Sequence, residues 1–142
     1  MATMTLEIVT VERLAYSDEV NSVVAPGIEG ELGILPHHAP LLTVLQPGEL
    51  RIIKEGHADE YLVMSGGFME VMNNKVVILA DAAERAEDID EERAQEAVRR
   101  AQERINDRPQ DLDLERTVAS MRRAQLRIKV ARRRRNLPPL GS

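Results

Sequence analysis

The chain has 142 residues, 43% hydrophobic and 30% charged, which allows one domain with a real core plus a smaller appended element and excludes wholesale disorder. It has no cysteine, excluding disulfides, thiolate metal sites and a cysteine nucleophile, and its aromatic set of Tyr16, Tyr61 and Phe68 is too sparse to stack on nucleobases. The net charge of −5 divides unevenly: residues 1–87 hold 5 basic and 14 acidic groups, whereas residues 88–142 hold 14 basic and 10 acidic groups.

The segment from Met1 to Leu14 lacks the basic stretch and apolar run of a secretory leader, and its acidic residues exclude a typical transit peptide. No apolar run approaches the ~18 residues of a membrane span. The expectation is a chain that stays where it is made and meets a membrane only through partners.

From Thr5 to Ala80 the chain reads as short strands between turn residues. Leu6, Ile8, Val20, Val23 and Val24 begin the series; Leu50, Ile52, Ile53 and Tyr61 to Val63 continue it, followed by Phe68 to Met72 and Val76 to Leu79. Asn73 and Asn74 supply a two-residue loop that tolerates positive φ, as a type I′ hairpin requires. Pro26-Gly27, Pro36, Pro40, Pro47-Gly48, Gly56 and Gly66-Gly67 are too dense for helices. The pattern predicts an antiparallel β-sandwich over residues 1–87.

Beyond Ala80 the period changes. Asp88 followed by Glu91 offers a capping box, and Ile89, Ala94, Ala97, Val98, Ala101 and Ile105 recur at helical spacing. The segment Asn106 to Gln110, with Pro109, breaks the helix. A second helix is expected from near Asp111, with a stripe of Leu114, Val118, Met121, Gln125 and Ile128, ended by Pro138-Pro139. Residues 88–142 thus form an antiparallel two-helix hairpin. Its first helix buries mainly alanines, which contribute little apolar area, so the hairpin is weakly held.

Several residues invite chemical readings. Gly27, Gly30 and Gly33 recur every third position, but no Lys-Ser/Thr follows them, so they read as turns with positive φ rather than a phosphate loop. His37 and His38 are adjacent on an extended segment and point to opposite sides, and His57 has no sequence tie to them, which argues against a metal site. No nucleophile–base pair or catalytic carboxylate pair emerges, and no catalysis is expected.

On the hairpin, Asp90, Arg93, Ala94, Ala97 and Arg100 share one helix face, and Arg123 and Arg127 lie one turn apart on the second helix. Two readings stay open. These guanidiniums suit a triphosphate, with Ala94 and Ala97 leaving room for an adenine or ribose and Asp90 accepting a hydrogen bond. Alternatively the face is solvated and laced by pairs of Glu92 and Glu96 with Arg99 and Arg100. A third idea, nucleic-acid binding by Arg132 to Arg135, conflicts with the acidic sandwich and the lack of aromatic platforms.

Two stretches carry a family likeness: Val24-Ala25-Pro26-Gly27-Ile28-Glu29-Gly30-Glu31-Leu32-Gly33-Ile34-Leu35-Pro36-His37-His38-Ala39-Pro40-Leu41-Leu42-Thr43, and Ser65-Gly66-Gly67-Phe68-Met69-Glu70-Val71 followed by Leu79-Ala80-Asp81. With the hairpin in the expected place, the chain closely resembles the epsilon subunit of bacterial F-type ATP synthase from roughly Thr5 to Arg135. The resemblance implies a non-catalytic rotor subunit whose sandwich attaches to the gamma subunit and the c-subunit ring, with Glu31 and His38 in a loop facing that ring. It implies a hairpin that inhibits ATP hydrolysis when raised, meeting an acidic loop of the alpha and beta catalytic subunits through its basic surface. The implied location is peripheral, at the cytoplasmic face of the bacterial cell membrane.

Some members of that family bind ATP through a motif that Ile89-Asp90-Glu91-Glu92-Arg93-Ala94 matches in full. By the same resemblance Glu84, Arg100, Arg123 and Arg127 occupy the further contact positions, with ATP as a regulatory ligand of the folded hairpin. The alternative to a rotor subunit is a freestanding ATP-sensing β-sandwich protein.

Overall fold

Side-chain alternation decides where the strands lie. In β1 (Met4–Val9) Met4, Leu6 and Ile8 are buried while Thr5, Glu7 and Val9 lie at the surface, the period of two that a half-covered sheet demands. The computed structural model describes residues 2–107 and 112–135, and in them the same logic yields β2 (Leu14–Val20), β3 (Ser22–Gly27), β4 (Gly30–Ile34), β5 (Leu41–Leu45), β6 (Gly48–Ile53), β7 (Glu60–Met64), β8 (Gly67–Met72), β9 (Lys75–Ala80) and β10 (Ala83–Arg85).

These strands form two layers. One runs β10-β7-β6-β3-β4 and the other β5-β8-β9-β1-β2, joined where Gly27 of β3 pairs with Leu45 of β5. A single core fills the space between, with Leu6, Val23, Leu50, Leu62, Met69 and Ile78 all at most 1% exposed. The expected sandwich is present, but it is not wholly antiparallel: β1 pairs with β9 in parallel, Leu6 opposite Val76 and Ile8 opposite Ile78. Hairpin signals report only neighbours joined by a turn, and a parallel pair has no turn to announce it.

The turns follow their chemistry. Asn73 and Asn74 take φ of 52° and 61°, as the hairpin between β8 and β9 requires. Asn74 also ties two segments together, accepting from the His37 N–H at 2.9 Å and donating to the Thr3 carbonyl at 2.9 Å. Of the three spaced glycines only Gly30 has positive φ (131°). Gly27 is needed for a different reason: a Cβ there would lie 2.6 Å from the Gly30 carbonyl oxygen.

After β10 a 3-10 turn over Ala86–Asp88 leads into helix α1 (Glu91–Asp107), and helix α2 spans Leu114–Arg135. The cap of α1 is Asp90 rather than Asp88. Its Oδ1 accepts from the Arg93 N–H at 3.0 Å, while Asp88 ends the 3-10 turn and Ile89 is extended. Asp88 is taken up by the 3-10 turn, so the helix begins later than expected and Asp90 stands at the cap position. Asp113 caps α2 in the same way, its Oδ1 3.0 Å from the Arg116 nitrogen. Asn106 and Asp107 remain helical; the expected break at Arg108 to Gln110, the start near Asp111 and the stop at Pro138-Pro139 lie outside the described residues.

The hairpin is antiparallel, with α2 in the middle. It packs against α1 on one side and against β7, β6 and the 3-10 turn on the other. The single stripe expected on α2 therefore fails: Leu114 and Gln125 are exposed, whereas Ala124, Val130 and Ala131 are buried. A helix sandwiched between two neighbours needs two apolar faces, and a one-face template misses the second. Leu126 and Val130 join Tyr61, Val63, Ala86 and Ile89 in a small cluster separate from the sandwich core. The fully buried residues of α1 are Ala94 and Ala101, so little apolar area holds this helix.

Candidate functional site

The seam between sandwich and hairpin gathers part of the predicted set. Glu84 lies on the edge strand β10, and Arg127 reaches it from α2 with two parallel bonds, Nε to Oε2 and Nη2 to Oε1, both 2.8 Å. This fork geometry is the strong, oriented form of an ion pair. The bond Arg127 donates to Glu84, with the charges of Glu84 and Asp90 added, raises the pKa of Arg127 above the ordinary arginine value. One Asp90 oxygen is committed to the helix cap. Ile89 packs beside Val130 and Tyr61, anchoring the start of α1.

A second group lies between the helices. Arg100 and Arg123 line a groove of about 560 Å³ with Ala97, Ala101, Arg104 and Arg116. Arg100 also pairs with Glu96 at 3.3 Å, and Arg99 pairs with Glu96 and Glu103, so the ion-laced face expected of α1 is present with Glu103 in place of Glu92 as the second acid. Ala94 is fully buried in the helix packing, so the room expected beside it is filled, whereas Ala97 borders open space. Arg93 is exposed. Arg123 connects the two groups, because it also lines a larger groove of about 920 Å³ beside Glu84 and Arg127.

Glu31 and His38 fall on two segments rather than one loop. Glu31 is exposed on β4 beside the Gly27–Gly30 hairpin, whose Ile28 is 61% exposed. His38 follows β4 in the turn towards β5, its Nδ1 2.7 Å from the Ala39 carbonyl oxygen. Among the described residues no group of three or more His, Asp or Glu is placed to hold a metal, and no helix is long and apolar enough to cross a membrane.

Two features were absent from the sequence reading. First, the C-terminal half of α2 is pinned by Arg133, which lies 5.0 Å from the Tyr61 ring centroid and 3.2 Å from Glu49, and by Arg132, 2.8 Å from Glu91. Second, the outer face of the β5-β8-β9-β1 layer carries an apolar row. Val44 stands opposite Phe68, Phe68 opposite Leu79, and Leu79 opposite Val9. Phe68 and Leu79 are each 53% exposed, and Leu42 and Val11 extend the patch. The signal lay in the alternation of β8, where Phe68 and Met72 occupy the positions facing away from the core. An apolar row of this kind marks an interaction surface.

The chain thus joins a sandwich with its own core, an outward apolar row and a helical hairpin held by ion pairs. Residues 3–86 match the family described as ATP synthase, Delta/Epsilon chain, beta-sandwich domain, and residues 87–132 match ATP synthase, Delta/Epsilon chain, long alpha-helix domain. The chain belongs to the ATP synthase delta/epsilon chain family. It is similar to the ATP synthase epsilon chain of Herpetosiphon aurantiacus, 55% identical over 131 residues that cover 92% of this chain and 96% of that one. The ATP synthase epsilon chain of Dehalococcoides mccartyi is 58% identical over 108 residues, 76% of each chain. Among solved structures, a chain of the Euglena gracilis mitochondrial ATP synthase assembly of OSCP, F1 and c-ring superposes with a TM-score of 0.67 at 25% identity, covering 93% of this chain and 79% of that one. A chain of the Tetrahymena thermophila mitochondrial ATP synthase central stalk and c-ring shares the fold, with a TM-score of 0.55 at 18% identity and coverage of 94% and 96%.

Proposed function

We propose that the two parts of this chain divide the work of a non-catalytic central-stalk subunit of ATP synthase: the sandwich attaches to the rotor and the hairpin regulates hydrolysis. The observation that carries this reading is the contrast between their anchorage. The sandwich has a complete core of its own, whereas the hairpin rests on a small cluster around Val130 and on the pairs made by Arg127, Arg132 and Arg133. An element held this way leaves the sandwich core intact when it lifts.

In this reading the gamma subunit covers the row of Val44, Phe68 and Leu79, and the end bearing Glu31 and His38 faces the c-subunit ring. When raised, the hairpin presents its arginines to an acidic surface of the alpha and beta subunits and blocks ATP hydrolysis. Membrane association, at the cytoplasmic face, comes through the complex. ATP is the regulatory ligand of the lowered state, held by Ile89, Asp90, Arg93 and Ala94 of α1, by Arg100 and Arg123 at the groove, and by Glu84 and Arg127 at the seam. The split of these residues over two adjacent grooves requires a small shift of α1 on α2 to bring them onto one nucleotide.

Because ATP would bind only the lowered state, it stabilises that state by RT ln(1 + [L]/Kd). Calorimetric titration of the full chain with ATP tests this. Saturable binding that Arg127→Ala and Arg123→Ala each weaken is expected, and absence of heat at millimolar ATP would remove ATP from the reading while leaving the rotor role in place.

A further inference from the structure

The groove of about 920 Å³ beneath the first half of α2 is larger than the interhelical one. Its floor is Val63, Met64 and Ala83 of the sheet edge, and its roof is Leu114, Val118 and Leu126 of α2. The helix packs against the sheet edge at Leu126 and Val130, whereas towards Leu114 its apolar side chains are exposed or half-buried, and the lone Phe68 lies on the opposite layer. From Leu114 to Leu126 the roof runs about 18 Å.

The rim is cationic. Arg122 and Arg123 border the groove, both are exposed, and neither has an ion-pair partner among the described residues. Glu84 is already neutralised by Arg127, leaving Glu115 as the other acidic group in the lining. A nucleobase is poorly served here: no aromatic ring lines the groove, and the Ser65 hydroxyl is engaged with the backbone of Ala82, accepting at 2.8 Å and donating at 3.3 Å. An apolar cleft with a few convergent charged groups is the form of a small-molecule site.

We propose that this groove binds a single-chain amphipathic anion, its hydrocarbon tail lying between Val63, Ala83, Val118 and Leu126 and its carboxylate meeting Arg122. Charge complementarity selects the occupant. The tail covers apolar surface that α2 leaves open, and the headgroup answers guanidiniums that no other described residue pairs. Such a ligand touches sheet and helix together, so it holds the hairpin down without using the motif residues on α1.

The test titrates the full chain, free of nucleotide, with dodecanoate and with dodecanol, and follows amide exchange along residues 114–126. Saturable dodecanoate binding below its micelle concentration is expected, roughly tenfold weaker for dodecanol and for Arg122→Gln, which removes one charge-assisted contact. Val118→Glu, which places a carboxylate in the path of the tail, should abolish binding, and exchange in the roof should slow when dodecanoate is bound. Arg122 is exposed, so its variant folds and keeps the test decisive. Equal affinity for dodecanol or indifference to Arg122→Gln would each overturn the assignment. Failure of ATP binding in the separate titration has no bearing on it.

Discussion

Arg133 lies over the ring of Tyr61, 5.0 Å from its centroid, and at the same time reaches Glu49 at 3.2 Å. One guanidinium thus closes the end of α2 onto two strands by a cation–π contact and an ion pair. With Arg133 partly exposed, each contact is worth on the order of 0.5–1 kcal/mol. Arg133→Gln, which removes both contacts, should therefore speed amide exchange in the C-terminal half of α2 by roughly fivefold to thirtyfold, and Tyr61→Leu, which leaves the Glu49 pair, should also speed it. The double variant should add little, because the two side chains form one contact. Added salt should act in the same direction on the natural chain and weakly on Arg133→Gln. Exchange independent of residue 133 would show that the helix is held by Leu126, Val130 and the pairs of Arg127 and Arg132 without it.

The apolar row on the opposite face gives a separate expectation. Phe68 is 53% exposed, so Phe68→Ser should change the stability of the isolated chain by no more than about 0.5 kcal/mol. Its place at the centre of the row, between Val44 and Leu79, predicts a much larger loss in association with the stalk, at least about 2 kcal/mol. Co-purification of the variant with the complex, compared with Glu92→Gln on the hairpin, measures the difference.

Asp90 has a structural duty that a ligand site alone would not explain. Asp90→Ala should cost about 1 kcal/mol through the lost cap on the Arg93 N–H, whatever it does to nucleotide binding. Asp90→Ser should restore the cap but not the carboxylate. Thermal unfolding of both variants, run beside ATP titrations, separates the two roles: a cap alone is rescued by serine, and a ligand contact is not.

Tyr16 supplies a pH signature for the sandwich. It is buried, and its hydroxyl donates to Glu60 at 2.7 Å. Burial first, then the bond to and charge of Glu60, push its pKa well above the ordinary tyrosine value near 10. A raised folded-state value means that the contribution is fully present below pH 10 and is lost as the pH climbs beyond it. Tyr16→Phe should lower stability at neutral pH and flatten the alkaline fall in stability. Parallel urea titrations at neutral pH and above pH 10 check the sign.

These residues also show what could be read in advance. The strands and the Asn73-Asn74 hairpin were legible because alternation and turn chemistry are local, and the helical period after Ala80 was equally plain. The face shared by Asp90, Arg93 and Arg100 was visible as spacing. The fork between Glu84 and Arg127 was not, since nothing local ties an edge strand to a helix more than forty positions later. The second apolar face of α2 was hidden for the same reason: its packing partner, Tyr61, belongs to another layer. Choosing Asp88 as the cap failed because the capping-box pattern is local, whereas the 3-10 turn over Ala86–Asp88 absorbs that residue and delays the helix start to follow Asp90.

The parallel pairing of β1 with β9 has a consequence for how the chain comes together. Leu6 needs Val76, and Ile8 needs Ile78, so a strand made early stays half-paired until almost the whole sandwich has been synthesised. Contacts this distant along the chain slow folding, whereas α1 and α2 meet through near neighbours and assemble quickly. During that wait β1 would have only β2 beside it, and its other edge of unpaired backbone N–H and C=O groups would be open to another copy. The same edge makes β9 the closing piece: a nascent chain stopped before Lys75 would leave β1 unmatched and should be recognised as unfinished.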